Sequence, residues 1–256
     1  MKSYIISLVI LLTTLSASCA HSQEVVALTD PYPPFSFKDK QTGLASGYAV
    51  EVMKLVLEHS HLEYYKIEIQ PWARIYYRAT HSANTIIFPI IRTPEREQLF
   101  NWIFPIFEIK FNFYKLKSRD DIQMSELKDV RKYQLLVMRE SMTHTKMTDK
   151  NGLNIDSKKI NLATSIRQSV QMLYAGRGDI LVADENVLMA HIKELGLNPD
   201  YIEAVYPFKE VNKKYYAAFS LGTSDVLLKK VKNGHAQAKA NGHLDTLKLQ
   251  NFTQNP

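Results

Sequence analysis

The sequence predicts an α/β protein, and three observations lead to that fold class. Strand-like and helix-like segments alternate along the chain, as in proteins whose helices cover a largely parallel sheet. The runs at 85–91 (TIIFPII) and 134–138 (QLLVM) are almost wholly apolar, as strands buried on both faces require. The 256 residues are 45% hydrophobic and 23% charged, which is the composition of a globular protein with a sizeable core.

The first 22 residues predict a secretory signal peptide, and therefore a periplasmic protein. A positively charged start precedes an apolar run at 4–15 and small residues at 16–20, which is the three-part pattern of an export signal. The apolar run is shorter than the roughly 20 residues of a membrane-spanning helix. We expect cleavage after Ala20. Lipidation at Cys19 is the less favoured alternative, because Ser16 stands where a lipobox usually has leucine.

Charge and cysteine content exclude several classes of function. The net charge of +6 and the pI of about 9.1 would by themselves permit nucleic acid as a partner. Export and the scattered placement of the lysines argue against it, so we expect no nucleic-acid binding. The single cysteine, Cys19, excludes an intramolecular disulfide and a cysteine-rich zinc site. We expect neither a metal nor a cofactor.

In the first half of the chain, strands and helices alternate around a proline-rich loop at 30–34. Prolines cannot continue a strand ladder, so the loop ends the first strand. Apolar residues at helical or strand spacing define the other elements. The predicted strands are 24–29, 64–69 and 85–91, and the predicted helices are 48–59 and 72–80.

The second half repeats the alternation with capped helices. Ser and Thr suit the N-cap positions, and Gly176 suits the position just after a helix. The predicted strands are 134–138, 180–183 and 215–220, and the predicted helices are 141–150, 165–174 and 224–240.

The segment 92–96 (RTPER), directly after an apolar strand, is a candidate anion site. Thr93 and Pro94 are the residue types preferred at an N-cap and at the first helical position, so the segment predicts the start of a helix. Arg96 then falls in the first turn, where a guanidinium can bind a carboxylate through two parallel hydrogen bonds. The alternative is a solvated surface turn in which Glu95 pairs with one of the arginines.

Six short motifs occur in an order and spacing that cover nearly the whole mature chain. They are 30–37 (DPYPPFSF), 47–51 (GYAVE), 92–96 (RTPER), 104–107 (FPIF), 175–179 (AGRGD) with Asp184 beyond it, and 215–219 (YYAAF). Each motif is weak alone, but together they resemble the bacterial extracellular solute-binding proteins, family 3, which are periplasmic receptors for polar amino acids.

This resemblance implies a two-lobed periplasmic-binding-protein fold of the type II clamshell kind, with two hinge crossings. The implied first lobe contains 23–109 and 214–256, and the second contains 110–213. The hinges would lie near 107–112 and 211–216. A ligand in the cleft would close the lobes through its extra affinity for the closed state.

The resemblance also implies the residues that bind the ligand. Arg96 occupies the position that holds the ligand α-carboxylate, and Asp184 the position that receives the α-ammonium from the opposite lobe. The remaining positions supply aromatic rings beside the ligand at Tyr32 and Trp72, a polar contact at Asp30 and hydrogen bonds to the carboxylate at Thr143.

The chain departs from the family pattern in ways that add positive charge. Arg74, Arg92 and Arg139, together with Arg96, suggest a cleft more cationic than an amino acid needs. A dicarboxylate or another strongly anionic ligand is then plausible. The alternative is that arginines such as Arg74 point to solvent.

The expected function is capture of a small polar, amino-acid-like or carboxylate ligand and its delivery to an inner-membrane ABC permease, by a monomer that is not an enzyme. Two alternatives remain open. One is a sensor that presents its ligand to a membrane kinase or chemoreceptor. The other is an enzyme resembling cyclohexadienyl dehydratases, with Glu51 or Glu140 as the acid. His59, His61 and Glu63 lie close in sequence, but three converging ligands are not evident, so we expect no metal site.

Overall fold

The computed structural model describes residues 24–108, 110–150, 152–209 and 214–253. The predicted signal peptide and Cys19 lie outside these residues. Within the described ranges, no helix combines the length and the apolar character needed to cross a bilayer.

The predicted strands and helices are present, and the structure adds strands at 100–108, 111–116, 160–163 and 202–208 and a helix at 185–194 that were not predicted. The strands are β1 (Val25–Thr29), β2 (Phe37–Lys38), β3 (Ala45–Ser46), β4 (Tyr65–Ile69), β5 (Thr85–Ile91), β6 (Phe100–Glu108), β7 (Phe111–Leu116), β8 (Leu135–Met138), β9 (Ile160–Ala163), β10 (Ile180–Asp184), β11 (Ile202–Phe208) and β12 (Lys214–Ser220). The helices are α1 (Tyr48–His59), α2 (Trp72–His81), α3 (Met142–Thr148), α4 (Ile166–Tyr174), α5 (Glu185–Glu194), α6 (Asp225–Ala240) and α7 (Gln250–Thr253).

The first five-stranded sheet has the order β4-β1-β5-β12-β6. Strand β1 runs parallel to β4 and β5, whereas β12 runs antiparallel to β5 and β6. Helices α1, α2 and α6 pack against this sheet. Every residue of β5 is buried, which explains why the run is apolar apart from Thr85. We call this sheet with its three helices lobe 1.

The second five-stranded sheet has the order β11-β7-β10-β8-β9. Strand β8 runs parallel to β9 and β10, and β7 runs antiparallel to β10 and β11. Helices α3, α4 and α5 pack against it, and we call this unit lobe 2. The chain enters it between Glu108 and Phe111 and leaves it between Phe208 and Lys214. The predicted boundaries after residues 109 and 213 stay predictions.

Side-chain caps and one close helix contact explain the helix positions. Ser141, Ser165 and Ser224 each accept a hydrogen bond from a backbone N–H in the first turn of α3, α4 and α6 respectively. Gly234 of α6 lies against the end of α1, where a Cβ would collide with backbone and side-chain atoms of Val56 and Ser60. The glycine therefore allows the two helices of lobe 1 to approach closely.

The structure corrects two features of the sequence prediction. Residues Pro94–Arg96 form a single 3₁₀ turn, and Thr93 makes no side-chain cap hydrogen bond to it, so the segment does not open an α-helix. The neighbouring strands β6 and β7 were not predicted. Strand β6 contains Pro105 and lies at a sheet edge, where register shifts against β12 accommodate a residue without an N–H donor.

Candidate functional site

A cavity of about 50 Å³ lies between the two lobes. Lobe 1 contributes the loop after β1, the start of α2, the end of β5, the turn at Pro94–Arg96 and β12. Lobe 2 contributes the start of β7, the end of β8, Val182 of β10 and the starts of α3 and α4. The lining residues are Asp30, Tyr32, Trp72, Pro89, Ile91, Arg96, Phe111, Met138, Ser141, Met142, Thr143, Ile166, Val182 and Tyr215.

Pro89 determines how β5 reaches this cavity. The pairing of β5 with β1 ends at Ile87, and its register with β12 shifts across the Phe88–Pro89 step. Proline has no N–H to donate to a ladder, so a break is expected there. The last residues of β5 therefore extend past β1 to the space between the lobes.

Arg96 is a buried cation in the wall of the cavity. Its side chain is nearly inaccessible, and its Nη1 donates a hydrogen bond of 3.3 Å to the Ile91 carbonyl. The guanidinium carbon lies 5.4 Å from the centre of the Trp72 ring and 5.2 Å from that of Tyr76, within cation–π range. Burial lowers the pKa of Arg96. Among the described residues, no carboxylate forms a salt bridge with it.

The backbone carbonyl of Glu140 in lobe 2 connects to two donors of lobe 1. It accepts a hydrogen bond of 3.2 Å from Arg96 Nη2 and one of 2.9 Å from Trp72 Nε1. Glu140 has a φ of 59°, in the left-handed region that a residue with a Cβ rarely adopts. A neutral carbonyl oxygen thus occupies the donors that could bind a carboxylate oxygen.

Two tyrosine hydroxyls meet in the cavity from distant parts of lobe 1. The hydroxyls of Tyr32 and Tyr215 lie 2.9 Å apart, and both side chains are buried. Burial raises the pKa of Tyr215, and the charges of Asp184 and Asp30 raise it further, while Tyr32 and Arg96 lower it. The tyrosine pair is therefore neutral and lies within electrostatic reach of both carboxylates and of Arg96.

The two buried carboxylates differ in their surroundings. Burial raises the pKa of Asp30 to about 7, opposed only by its own backbone N–H. Burial also raises the pKa of Asp184, but backbone N–H groups of Val187, Asn186 and Lys110 donate to that carboxylate. Asp184 caps α5 and is absent from the cavity lining, whereas Asp30 is part of it.

The start of α3 brings two hydroxyls into the cavity wall. Ser141 Oγ and Thr143 Oγ1 lie 2.7 Å apart, and Ser141 also accepts a hydrogen bond from the His144 N–H. Thr143 was a predicted site residue. Ser141 and Tyr215 were not, although a cap at Ser141 and the motif at 215–219 were visible in the sequence.

Besides Asp184, three further predicted site residues, Arg74, Arg92 and Arg139, are not in the cavity lining. Arg74 and Arg139 are exposed. Arg92 donates from Nε to Glu97 at 2.8 Å and lies over the rings of Trp102 and Tyr216. The structure thus does not assemble the four-arginine cleft suggested by the sequence, and Arg96 is the one cationic side chain among the described residues that line the cavity.

Local geometry explains why those arginines point elsewhere. Successive side chains of extended backbone face opposite sides, so Ile91 lines the cavity while Arg92 faces away. In the same way, Met138 lines the cavity and Arg139 faces away. Residues two apart on a helix also face different directions. Trp72 therefore reaches the cavity from α2 and Arg74 does not.

The histidines near the end of α1 form a pair rather than a metal cluster. His59 Nε2 lies 3.1 Å from His243 Nδ1. In the described part of the chain, no three His, Cys, Asp or Glu residues gather as metal ligands.

Two open-sheet lobes joined by two crossings, with a cavity between them, define the class of periplasmic-binding-protein folds. The model of the bacterial extracellular solute-binding proteins, family 3, matches residues 25–254, and the chain belongs to that family. The predicted family and the two-lobed fold are confirmed. A comparison with curated proteins gave no match.

Solved structures share this fold at low sequence identity. A histidine kinase sensor domain with similarity to periplasmic binding proteins has a TM-score of 0.76 at 20% identity, with 89% of this chain and 95% of that chain covered. ArtJ from Geobacillus stearothermophilus, an arginine-, lysine- and histidine-binding protein, has a TM-score of 0.74 at 18% identity, covering 91% and 97%. An ancestral arginine-binding protein bound to arginine has a TM-score of 0.72 at 21% sequence identity, with 89% of this chain and 97% of that chain covered.

Proposed function

We propose that this chain is a periplasmic solute-binding protein that encloses a small amino-acid-like carboxylate between its lobes and delivers it to an ABC permease. The buried guanidinium of Arg96 carries this proposal. A buried charge needs an ionic or strongly hydrogen-bonded partner. Arg96 contacts carbonyl oxygens, aromatic rings and the Tyr76 side chain, and none of these carries a full negative charge. A ligand carboxylate would supply the missing countercharge.

The other predicted site residues have complementary roles in this proposal. Trp72 and Tyr32 flank the ligand, and Thr143 donates a hydrogen bond to its carboxylate from lobe 2. Asp30 and Asp184 supply negative charge for an α-ammonium group. In this proposal, lobe 1 comprises residues 23–109 and 214–256, and lobe 2 comprises residues 110–213. Residues 1–22 direct export. We expect a monomer.

Ligand entry requires the lobes to separate. This cavity, at about 50 Å³, is far below the roughly 300–1,000 Å³ of ligand pockets, so an amino acid does not fit into it as it stands. The Glu140 carbonyl occupies Arg96 and Trp72 in this arrangement. Binding therefore replaces two interlobe hydrogen bonds with bonds to the ligand.

A thermal-shift screen tests the proposal. Amino acids, dicarboxylates and small peptides are added to the mature protein, and a ligand that binds only the native state raises its Tm. A ligand at 100 times its Kd contributes about 2.7 kcal/mol, or roughly 5–10 °C for a domain of this size. No shift across the panel contradicts a receptor function.

Arg96→Ala should abolish the shift, whereas Arg92→Ala should keep it. Arg92 is the matched control because it is paired with Glu97 outside the cavity. Circular dichroism of both variants establishes that they are folded. Binding that survives in folded Arg96→Ala places the carboxylate elsewhere.

A sensor role is the second candidate, favoured by the likeness to a histidine kinase sensor domain. A neighbouring gene for a permease or for a signalling kinase separates the two roles.

We also propose binding without turnover. Neither Glu51 nor Glu140 lines the cavity, and Glu51 pairs with Lys54 at 2.8 Å. Conversion of prephenate or arogenate by the purified protein would contradict this.

A further inference from the structure

The cavity wall that faces the charged groups of lobe 1 is apolar. Side chains from both lobes form it, and they include Ile91, Phe111, Met138, Met142, Ile166 and Val182. Except for half-buried Ile166, these side chains are buried. Hydrocarbon and thioether groups give no hydrogen-bond partner to a polar ligand side chain, and enclosing such a group without a partner costs free energy.

The hydroxyls in the cavity are already paired with one another. One hydrogen bond of 2.9 Å joins the hydroxyls of Tyr32 and Tyr215, and another of 2.7 Å joins those of Ser141 and Thr143. Each pair uses one of its two O–H donors, so one donor remains in each pair. The proposed function assigns the donor of Thr143 to the ligand carboxylate, which leaves few hydroxyl groups in the described lining for a polar ligand side chain.

The ionic groups that remain in the lining are one cation and one carboxyl group, both in lobe 1. Arg96 forms no salt bridge with a carboxylate of the described residues, and no described side chain donates a hydrogen bond to the Asp30 carboxyl. A ligand with one carboxylate and one ammonium group would give Arg96 and Asp30 each a partner of opposite charge. A second carboxylate on the ligand would meet no second cation.

We infer that the ligand is a small α-amino acid with an apolar side chain. This inference rests on the proposed binding function and specifies its ligand class. The zwitterionic head contacts Arg96 and Asp30 of lobe 1, and the side chain packs against the methionines and branched aliphatic residues that lobe 2 contributes. Methionine side chains adapt to ligands of different shape, which suits several aliphatic side chains.

Calorimetric titration of the mature protein tests the ligand class with pairs of similar size. L-Leucine is compared with L-asparagine, and L-methionine with L-glutamine, while L-glutamate and L-arginine represent charged side chains. Leucine and methionine should bind at least tenfold more tightly than their polar counterparts. Tighter binding of glutamine, glutamate or arginine overturns the inference but leaves the proposed function intact. Absence of binding by every amino acid overturns both.

Two leucine analogues test the zwitterionic head. 4-Methylpentanoate lacks the ammonium group and 3-methylbutylamine lacks the carboxylate, so each should bind at least tenfold more weakly than leucine. Equal binding of 4-methylpentanoate and leucine would overturn the assignment of Asp30 to an ammonium group.

A pair of matched variants tests the apolar wall. Ile166 lines the cavity, whereas Ile160 of β9 is equally half-buried but lies outside it. Ile166→Gln should weaken leucine binding at least tenfold, and Ile160→Gln should leave it within twofold. Val182→Thr, which keeps the side-chain shape, serves if Ile166→Gln does not fold. Unchanged leucine affinity in the folded cavity variant overturns the inference.

Discussion

The two faces of the interlobe cavity have different chemistry. Lobe 1 presents the ionic groups, Arg96 and Asp30, fixed among the aromatic rings of Trp72, Tyr32 and Tyr215. Lobe 2 presents methionines, aliphatic side chains and two short hydroxyls that bond to each other. In the proposed function, lobe 1 holds the head of the ligand, and lobe 2 excludes water from it when the lobes close.

The closed arrangement also shows an asymmetry in how the lobes meet. At the cavity, the side-chain donors of Arg96 and Trp72 in lobe 1 meet one backbone carbonyl of lobe 2, that of Glu140. Beside it, a side-chain ion pair also joins the lobes, because Lys146 Nζ of lobe 2 lies 3.5 Å from Glu95 Oε1 of lobe 1. In the proposed function, a ligand carboxylate competes with the Glu140 carbonyl.

The largest effect is expected from Arg96→Lys in lobe 1. Lysine keeps the charge but loses the planar fork and the stacking on Trp72 and Tyr76. Affinity for the amino acid with the largest thermal shift should fall at least 100-fold, about 2.7 kcal/mol, as measured by calorimetry. A loss below tenfold would mean that charge alone recognises the carboxylate.

Asp30→Asn should change how stability depends on pH. Burial raises the pKa of Asp30 from 3.8 to about 7, so between these values the native state holds a proton that the unfolded state releases. The unfolding free energy should therefore fall as pH rises from about 4 to 7, by up to about 1.4 kcal/mol per pH unit from this group.

Urea denaturation of the unliganded protein across this pH range measures the slope. Asp184 also has a raised pKa and contributes in the same direction, and that part should persist in Asp30→Asn. An identical slope in the wild type and in Asp30→Asn would show that the Asp30 carboxyl ionises as it does in the unfolded chain. A ligand ammonium beside Asp30 favours its ionised form, so binding near pH 7 should release a proton into the buffer.

A smaller effect is expected in lobe 2, from Thr143→Val. The change removes one hydroxyl while keeping side-chain shape, and should weaken ligand affinity about tenfold, in line with one hydrogen bond of about 1–1.5 kcal/mol. Thr148→Val is the control, because Thr148 lies exposed at the far end of α3. A loss as large as that of Arg96→Lys would remove the distinction between the lobes.

Most of the fold and several of the lining residues could be predicted from the sequence. Apolar runs and serine caps located β5, β8, α4 and α6 closely, because these signals are local. The family motifs placed Asp30, Tyr32, Trp72, Arg96 and Thr143, all of which line the cavity.

What the sequence could not supply is the direction of side chains and the meeting of distant segments. The Tyr32–Tyr215 pair joins residues 183 positions apart, through the insertion of β12 into the first sheet. Arg92 and Arg139 are each one residue from a lining side chain, and only the local backbone decides which of the two neighbours faces the cavity. The apolar character of lobe 2 was hidden for the same reason.

Strand β12 has a further consequence, for the order in which the protein can fold. It is made after all of lobe 2, yet it lies between β5 and β6 in the first sheet. While residues 214–220 are still missing, β5 and β6 have no strand between them, and lobe 1 cannot complete its sheet. A chain that is synthesised from the N-terminus therefore cannot complete its folding until nearly its whole length is available. That delay suits the export that we propose for residues 1–22, and we expect a chain truncated before residue 214 to lose lobe 1 as well as β12.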